Sequence, residues 1–136
     1  MKNSSYSICL IFLIAIVSFT SCKKDDSTPV IFNSDAVTSG TWRVTSFHES
    51  QSDHTMDFSN YLFTFDANGT LTATISGTVT GTWDFDDSRN EFHLQIGNNS
   101  PLTDISKGWI ILESTSTTLQ LGDDSSNDEE LVFSTL

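Results

Sequence analysis

Beyond residue 40 the chain alternates large apolar and polar residues in short runs, separated by Gly, Asn, Asp and Ser. Trp42 and Val44 open the first run. Tyr61/Phe63/Phe65, Leu71/Ala73/Ile75, Val79/Gly81/Trp83/Phe85 and Phe92/Leu94/Ile96 follow, and Trp109/Ile111, Leu119/Leu121 and Leu131/Phe133 complete the set. Successive side chains of a β-strand point to opposite faces, so a period of two marks strands with one face buried. The complementary positions, among them Thr64, Thr70, Thr72, Thr74, Thr82, Asp84, Asp86, His93 and Gln95, are polar, as a solvated sheet face requires. Turn formers at Asp66-Ala67-Asn68-Gly69, Ser76-Gly77, Asp86-Asp87-Ser88-Arg89 and Glu113 to Ser116 link the runs closely. Links that short force neighbouring strands antiparallel. Room for helix is confined to one turn near Ser34 to Thr38 and another within Ser50 to Ser59. The pattern predicts an all-β, antiparallel up-and-down meander of about eight strands, and closing it into a barrel leaves no sheet edge exposed.

The N-terminal part is patterned differently. Lys2 precedes an apolar run from Ile8 to Phe19, and small residues Thr20 and Ser21 precede Cys22, the three-part layout of a secretory signal. Spanning a bilayer core as a helix takes roughly 20 residues, more than this run supplies. Phe19-Thr20-Ser21-Cys22 resembles the lipobox of bacterial lipoproteins, with Phe19 where Leu is usual. The resemblance implies that the Cys22 thiol is acylated and that cleavage ahead of it makes Cys22 the lipidated first residue of the mature chain. Two or three acyl chains, each buried methylene contributing about 0.8 kcal/mol, hold where one would not. The implied address is the cell envelope, lipid-anchored at the outer membrane on its periplasmic or surface face. Lys23-Lys24-Asp25-Asp26 is similar to a surface-export tag and reads equally as a solvated tether, and Ser27-Thr28-Pro29 reads as flexible linker. The expected organisation is signal peptide 1–21, lipidated cysteine and tether 22–33, and barrel domain 34–136.

Charge and composition narrow the partners. The precursor carries a net charge of −12; loss of residues 1–21 removes Lys2 and no acid, leaving −13. Nucleic acid is excluded as a partner, because phosphate binding needs clustered Lys and Arg. Three tryptophans and eight phenylalanines beyond the signal argue for a packed core despite the acidity. Cys9 falls in the segment to be removed and the Cys22 sulfur is expected to carry lipid. No disulfide is then available, and stability must come from the core.

Gly40-Thr41-Trp42 matches the G-x-W that opens the lipocalin fold, where the Trp plugs one end of the barrel. Phe63-Thr64-Phe65-Asp66-Ala67-Asn68-Gly69-Thr70, Gly81-Thr82-Trp83, Trp109-Ile110-Ile111-Leu112 and Thr117-Thr118-Leu119-Gln120-Leu121 resemble small lipocalin-like domains of bacterial lipoproteins, covering most of Gly40 to Phe133. The resemblance implies a lipocalin-like barrel that binds a small apolar or amphipathic ligand. The sequence departs from it in lacking an Arg near the last strand to stack on the first Trp; the last Arg is Arg89.

An eight-stranded barrel is either filled by its own side chains or holds one small molecule. Trp42, Phe63, Ala73, Gly81, Trp83 and Trp109 are the candidate interior ligand contacts, with Ala73 and Gly81 expected to leave local room. Met56 and Phe58, on the long connection Ser50 to Asn60, are the candidate lid over one mouth, or an ordinary loop pinned by Phe58. Gly97 to Asp104, stiffened by Pro101, is expected on the other side. The alternative function is a filled barrel serving as an interaction or accessory subunit of an envelope complex.

Other chemistry finds little footing. His48, His54 and His93 with Asp53 or Asp57 offer zinc-type ligands, but His93 alternates with inward Phe92 and Leu94, while His48 follows the phase of Trp42 and Val44 toward the rim. A calcium loop starting at Asp66 would need an acid at position 77, which is Gly77. Asp123 to Glu130 lacks ligand spacing and reads as a solvated hairpin loop. There is no G-x-S-x-G elbow and no free thiol, and Asp84 and Asp86 alternate with Trp83 and Phe85 toward solvent. The expectation is a non-enzyme with no metal and no cofactor.

Overall fold

The computed structural model describes residues 29–123 and 128–136. The expected signal peptide, Cys22 and most of the tether lie outside the described residues. A short helix α1 (Ser34–Thr38) leads into β1 (Thr41–Glu49), β2 (Ser52–Asp53), β3 (Leu62–Phe65), β4 (Thr70–Thr74), β5 (Thr78–Asp86), β6 (Glu91–Gln95), β7 (Gly108–Ser114), β8 (Thr118–Gly122) and β9 (Glu130–Thr135). Single 3-10 turns fall at Thr55–Phe58 and Leu102–Ile105. All pairings are antiparallel between sequence neighbours, except that β1 pairs with both β3 and β9. That closure makes an eight-stranded barrel of β1 and β3 to β9, with β2 a short addition to the end of β1.

The alternation read from the sequence is the barrel's inside and outside. Trp42, Phe63, Phe65, Leu71, Ala73, Phe92, Leu94, Trp109, Ile111, Leu119, Leu121, Leu131 and Phe133 are buried, and no polar or charged residue is buried among the described residues. Two β-bulges alter the phase. Between Val44 and Ser46 the register of β1 against β9 slips, so Phe47 turns inward and His48 outward. His48, expected to be partly buried near the rim, is instead exposed there, one residue before β1 ends. The second bulge lies between Ile111 and Glu113 and leaves Leu112 outside. Ile75 and Val79 also prove exposed, because β4 ends at Thr74 and both stand at the barrel's rim.

Strand directions sort the loops between two mouths. α1, the chain terminus after β9 and the turns after β3, β5 and β7 lie at the first mouth; the loops after β1, β4, β6 and β8 lie at the second. The long loops Ser50 to Asn60 and Gly97 to Asp104 therefore share an end, and Tyr61, Gly97, Asn98 and Leu102 line one small recess there. The expectation that they lie on opposite sides is corrected. At the second mouth Phe58 packs edge-on to Phe47, and Leu102 and Ile105 are buried from the 3-10 turn. At the first, α1 is capped by the Asn33 side chain, which accepts from the Ala36 amide, and the Trp42 indole donates to the Val37 carbonyl at 2.9 Å. The Trp42 ring is thus held at the first mouth by a carbonyl of α1.

Candidate functional site

Most of the residues singled out as interior contacts build the packing of the lumen. Trp42, Phe63, Ala73 and Trp109 have no exposed surface and Phe58 almost none. Rings on strands that are not neighbours meet across the barrel: Phe47 with Trp109 at 6.4 Å, Phe65 with Phe92 at 5.8 Å and Phe65 with Phe133 at 5.6 Å, all close to edge-on. Side chains from opposite walls thus meet across the barrel axis. The room expected at Gly81 is also taken: an added Cβ would stand 2.1 Å from the Gln95 carbonyl oxygen and 2.8 Å from Ile96 Cα. Met56 lies on the surface of its 3-10 turn, 77% exposed. Of the eight candidates, Trp83 alone lines a wide recess at the barrel's first mouth.

That recess, ≈ 570 Å³, opens at the first mouth. Its geometry follows from unequal strand lengths. β4 starts at Thr70, whose partner is Thr82, whereas β5 runs on to Asp86. The turn before β4 leans onto β5. Gly69 takes a φ of 87°, the left-handed region that suits glycine, and its carbonyl accepts from the Trp83 amide at 2.9 Å. The Trp83 indole donates to the Asp66 carbonyl at 2.9 Å. Antiparallel alternation then turns the Phe85 amide in the same direction as that of Trp83, beyond the last β4 pair. The segment before α1 supplies the remaining wall: Phe32 lies 4.4 Å from the Phe85 ring, 5.6 Å from Phe92 and 6.2 Å from Trp83. The result is an aromatic floor of Phe32, Trp83 and Phe85 under a polar rim of Ser34, Asn68, Asp84 and Asp87.

On the outer face next to this rim, His93 of β6 lies opposite Asp84 of β5. Its Nδ1 is 2.8 Å from Asp84 Oδ1, and its Nε2 is 3.2 Å from Glu91 Oε1. The hydrogen bond to Asp84, aided by both carboxylate charges and opposed by partial burial, raises the His93 pKa above its ordinary 6.5. A raised folded-state pKa means that the pair stabilises the fold fully below about 6.5 and loses this effect as pH climbs through the folded value. Asp84→Asn is therefore expected to lower the His93 titration midpoint in NMR spectra and to reduce thermal stability slightly at mildly acidic pH, with no difference at alkaline pH. An unmoved midpoint would show that the pair does not form in solution.

The other histidines have separate surroundings. His54 Nδ1 lies 3.3 Å from Asp57, and His48 Nδ1 lies 3.0 Å from the Ser46 hydroxyl. Among the described residues no three His, Cys, Asp or Glu side chains converge on one point.

Sequence reasoning placed Phe85 on an inward face yet left it out of the site, and it assigned Phe32 to the tether. A signal for Phe32 was present: an apolar residue directly before an Asn N-cap is the first half of a hydrophobic staple. The recess itself depends on where β4 begins relative to the end of β5, which alternation does not encode.

No family model matches the chain, and no curated protein matches it. Among solved structures, the crystal structure of a DUF4847 family protein from Bacteroides vulgatus superposes with a TM-score of 0.55 at 19% sequence identity, over 74% of this chain and 94% of that one. The likeness is one of fold, and it supports the barrel.

Proposed function

We propose that this chain is a lipid-anchored lipoprotein of the cell envelope whose lipocalin-like barrel binds a small amphipathic molecule at its first mouth. One observation carries the binding reading: a recess of ≈ 570 Å³ with an aromatic floor and a polar rim, on a barrel whose interior is crossed by packed rings. Small-molecule sites commonly span roughly 300–1,000 Å³ and combine apolar walls with a few placed polar groups. Phe32, Trp83 and Phe85 would take the apolar part; Ser34, Asn68, Asp84 and Asp87 would orient the polar part. Anchoring rests on the lipobox-like Phe19-Thr20-Ser21-Cys22, and no catalytic role is proposed for any residue.

Native mass spectrometry of protein purified from its own membranes is expected to show a bound small molecule that Phe85→Ser loses while keeping the fold. The same spectra are expected to show acyl mass on Cys22, and Cys22→Ser is expected to move the protein to the soluble fraction. A wild-type protein that carries no small molecule and shows no amide shift at Gly69, Trp83 or Phe85 on adding a membrane extract would end the binding reading. The rings that cross the lumen favour a second reading, an accessory subunit acting through the barrel's outer surface. Loss of a crosslinked envelope partner on outer-face substitution, with the recess silent, would favour it.

A further inference from the structure

We infer that the ligand of the first-mouth recess is an amphipathic organic cation, an alkyl or aryl ammonium whose apolar part lies on Phe32 and Phe85 while its charge lies at Asp84 and Asp87. The inference rests on the binding reading above and goes on to name the ligand's charge.

Four features of the site point to positive charge. The floor is aromatic, and the π-systems of such rings attract ammonium groups. The charged residues lining the recess are Asp84 and Asp87, with no Lys or Arg among the lining. Arg89, on the same β5–β6 turn, is engaged elsewhere: its Nε lies 3.5 Å from Asp86 and its Nη1 3.8 Å from Glu91. Finally, the chain's net charge of −12 favours the approach of cations over anions.

Asp84 is held by one oxygen. Its Oδ1 meets His93 on the outer face, and the carboxyl is 71% exposed, leaving Oδ2 open to a second partner. A neutral sugar-like ligand would also suit rings and carboxylate acceptors, but it would gain no net charge attraction from Asp84 and Asp87. Charge is therefore the property that separates the candidates.

Three soluble probes with one alkyl chain and different heads decide it: octyltrimethylammonium, octyl glucoside and octyl sulfate, each kept below its micelle concentration. They are titrated into the barrel domain beginning at Lys23, itself expected to fold because it keeps every core residue of the described chain; its far-UV circular dichroism is checked first. Binding is read by calorimetry and by the NMR signals of the Trp83 indole and the Phe85 amide. The expected result is that the ammonium binds about tenfold more tightly than the glucoside, that the sulfate binds more weakly still, and that added salt narrows the gap. Asp84→Asn with Asp87→Asn, both at exposed positions, is expected to bring the ammonium to the level of the glucoside without changing circular dichroism. Glucoside or sulfate binding as tightly as the ammonium, or a double variant that keeps full preference, would overturn the inference and leave the recess standing. No shift at Trp83 or Phe85 with any probe, in a domain whose fold is confirmed, would overturn both together.

Discussion

Phe63→Ala is expected to lower the free energy of unfolding by about 3–5 kcal/mol. The ring has no exposed surface and touches Phe133 edge-on at 5.2 Å, with Tyr61 at 6.1 Å and Phe58 at 6.4 Å. Its neighbours across β1 and β4 are Trp42 and Ala73. Neither closes the hole that truncation leaves, because the Trp42 ring is tied to the Val37 carbonyl and Ala73 has no further atoms to move. Small domains have roughly 5–15 kcal/mol of stability, so the loss takes a large share of it. At roughly 4–8 °C per kcal/mol for a domain of this size, the melting temperature falls well beyond 10 °C. Leu62→Ala, the next residue and 40% exposed, is the control and is expected to stay within about 0.5 kcal/mol. Urea unfolding of both variants provides the measurement. A loss below about 1 kcal/mol for Phe63→Ala would mean a loosely packed lumen with space for a ligand, and would return the site to the barrel interior.

What the sequence made legible follows from period two. A strand's inside and outside are written in every second residue, so the order of strands, the antiparallel connections and most of the core were readable from residues such as Leu71, Ala73, Phe92 and Leu94. Single-residue slips are not written that way. The bulge in β1 leaves Trp42 and Val44 in phase, then moves Phe47 to the inside and His48 to solvent, and nothing in the residues themselves marks Thr45 as the point of change. The site was less legible than the fold for a related reason. Size alone suggested that Gly81 and Ala73 leave space, whereas space depends on what lies opposite, and strand paths set that. At the first mouth the β5 overhang and the packing of Phe32 create the recess; both are tertiary facts.

The placement of Phe32 bears on the proposed anchoring. The segment that leads from Cys22 joins the barrel at the mouth that holds the recess, and Phe32 is itself part of the floor. Phe32 lies ten residue steps beyond Cys22, and at roughly 3.3–3.6 Å per extended residue these reach at most about 35 Å. On the proposed reading, the recess is thus held within one tether length of the lipid surface, where amphipathic molecules concentrate.

Gly81→Val is expected to be among the most damaging single changes on the barrel wall, although the position looks like vacant space in the sequence. Glycine in a strand interior lacks a side chain to pack and weakens the strand, so its presence in β5 calls for a reason. The reason is close approach: the end of β6 passes so near that a Cβ would stand 2.1 Å from the Gln95 carbonyl oxygen, 2.8 Å from Ile96 Cα and 2.9 Å from Ile96 Cβ. Two of these are backbone atoms. A side-chain rotation cannot relieve the clash, and the end of β6 has to move away from β5. That displacement strains the Thr82↔Gln95 pair and the position of Ile96, which is buried and whose amide and carbonyl both bond the Ser106 hydroxyl. Overpacking a core costs about 1–3 kcal/mol where side chains can adjust, and a backbone clash lies at or above the top of that range. Gly77→Ala is the matched control, since an added Cβ there meets nothing within 4 Å. It is expected to change stability by less than about 0.5 kcal/mol. Hydrogen exchange supplies the second readout: Gly81→Val should speed exchange at Gln95 and Ile96 ahead of global unfolding and leave the β8–β9 ladder protected. A valine tolerated at 81 without loss of stability would mean that β5 and β6 stand further apart than this packing requires, leaving the barrel wall open between them.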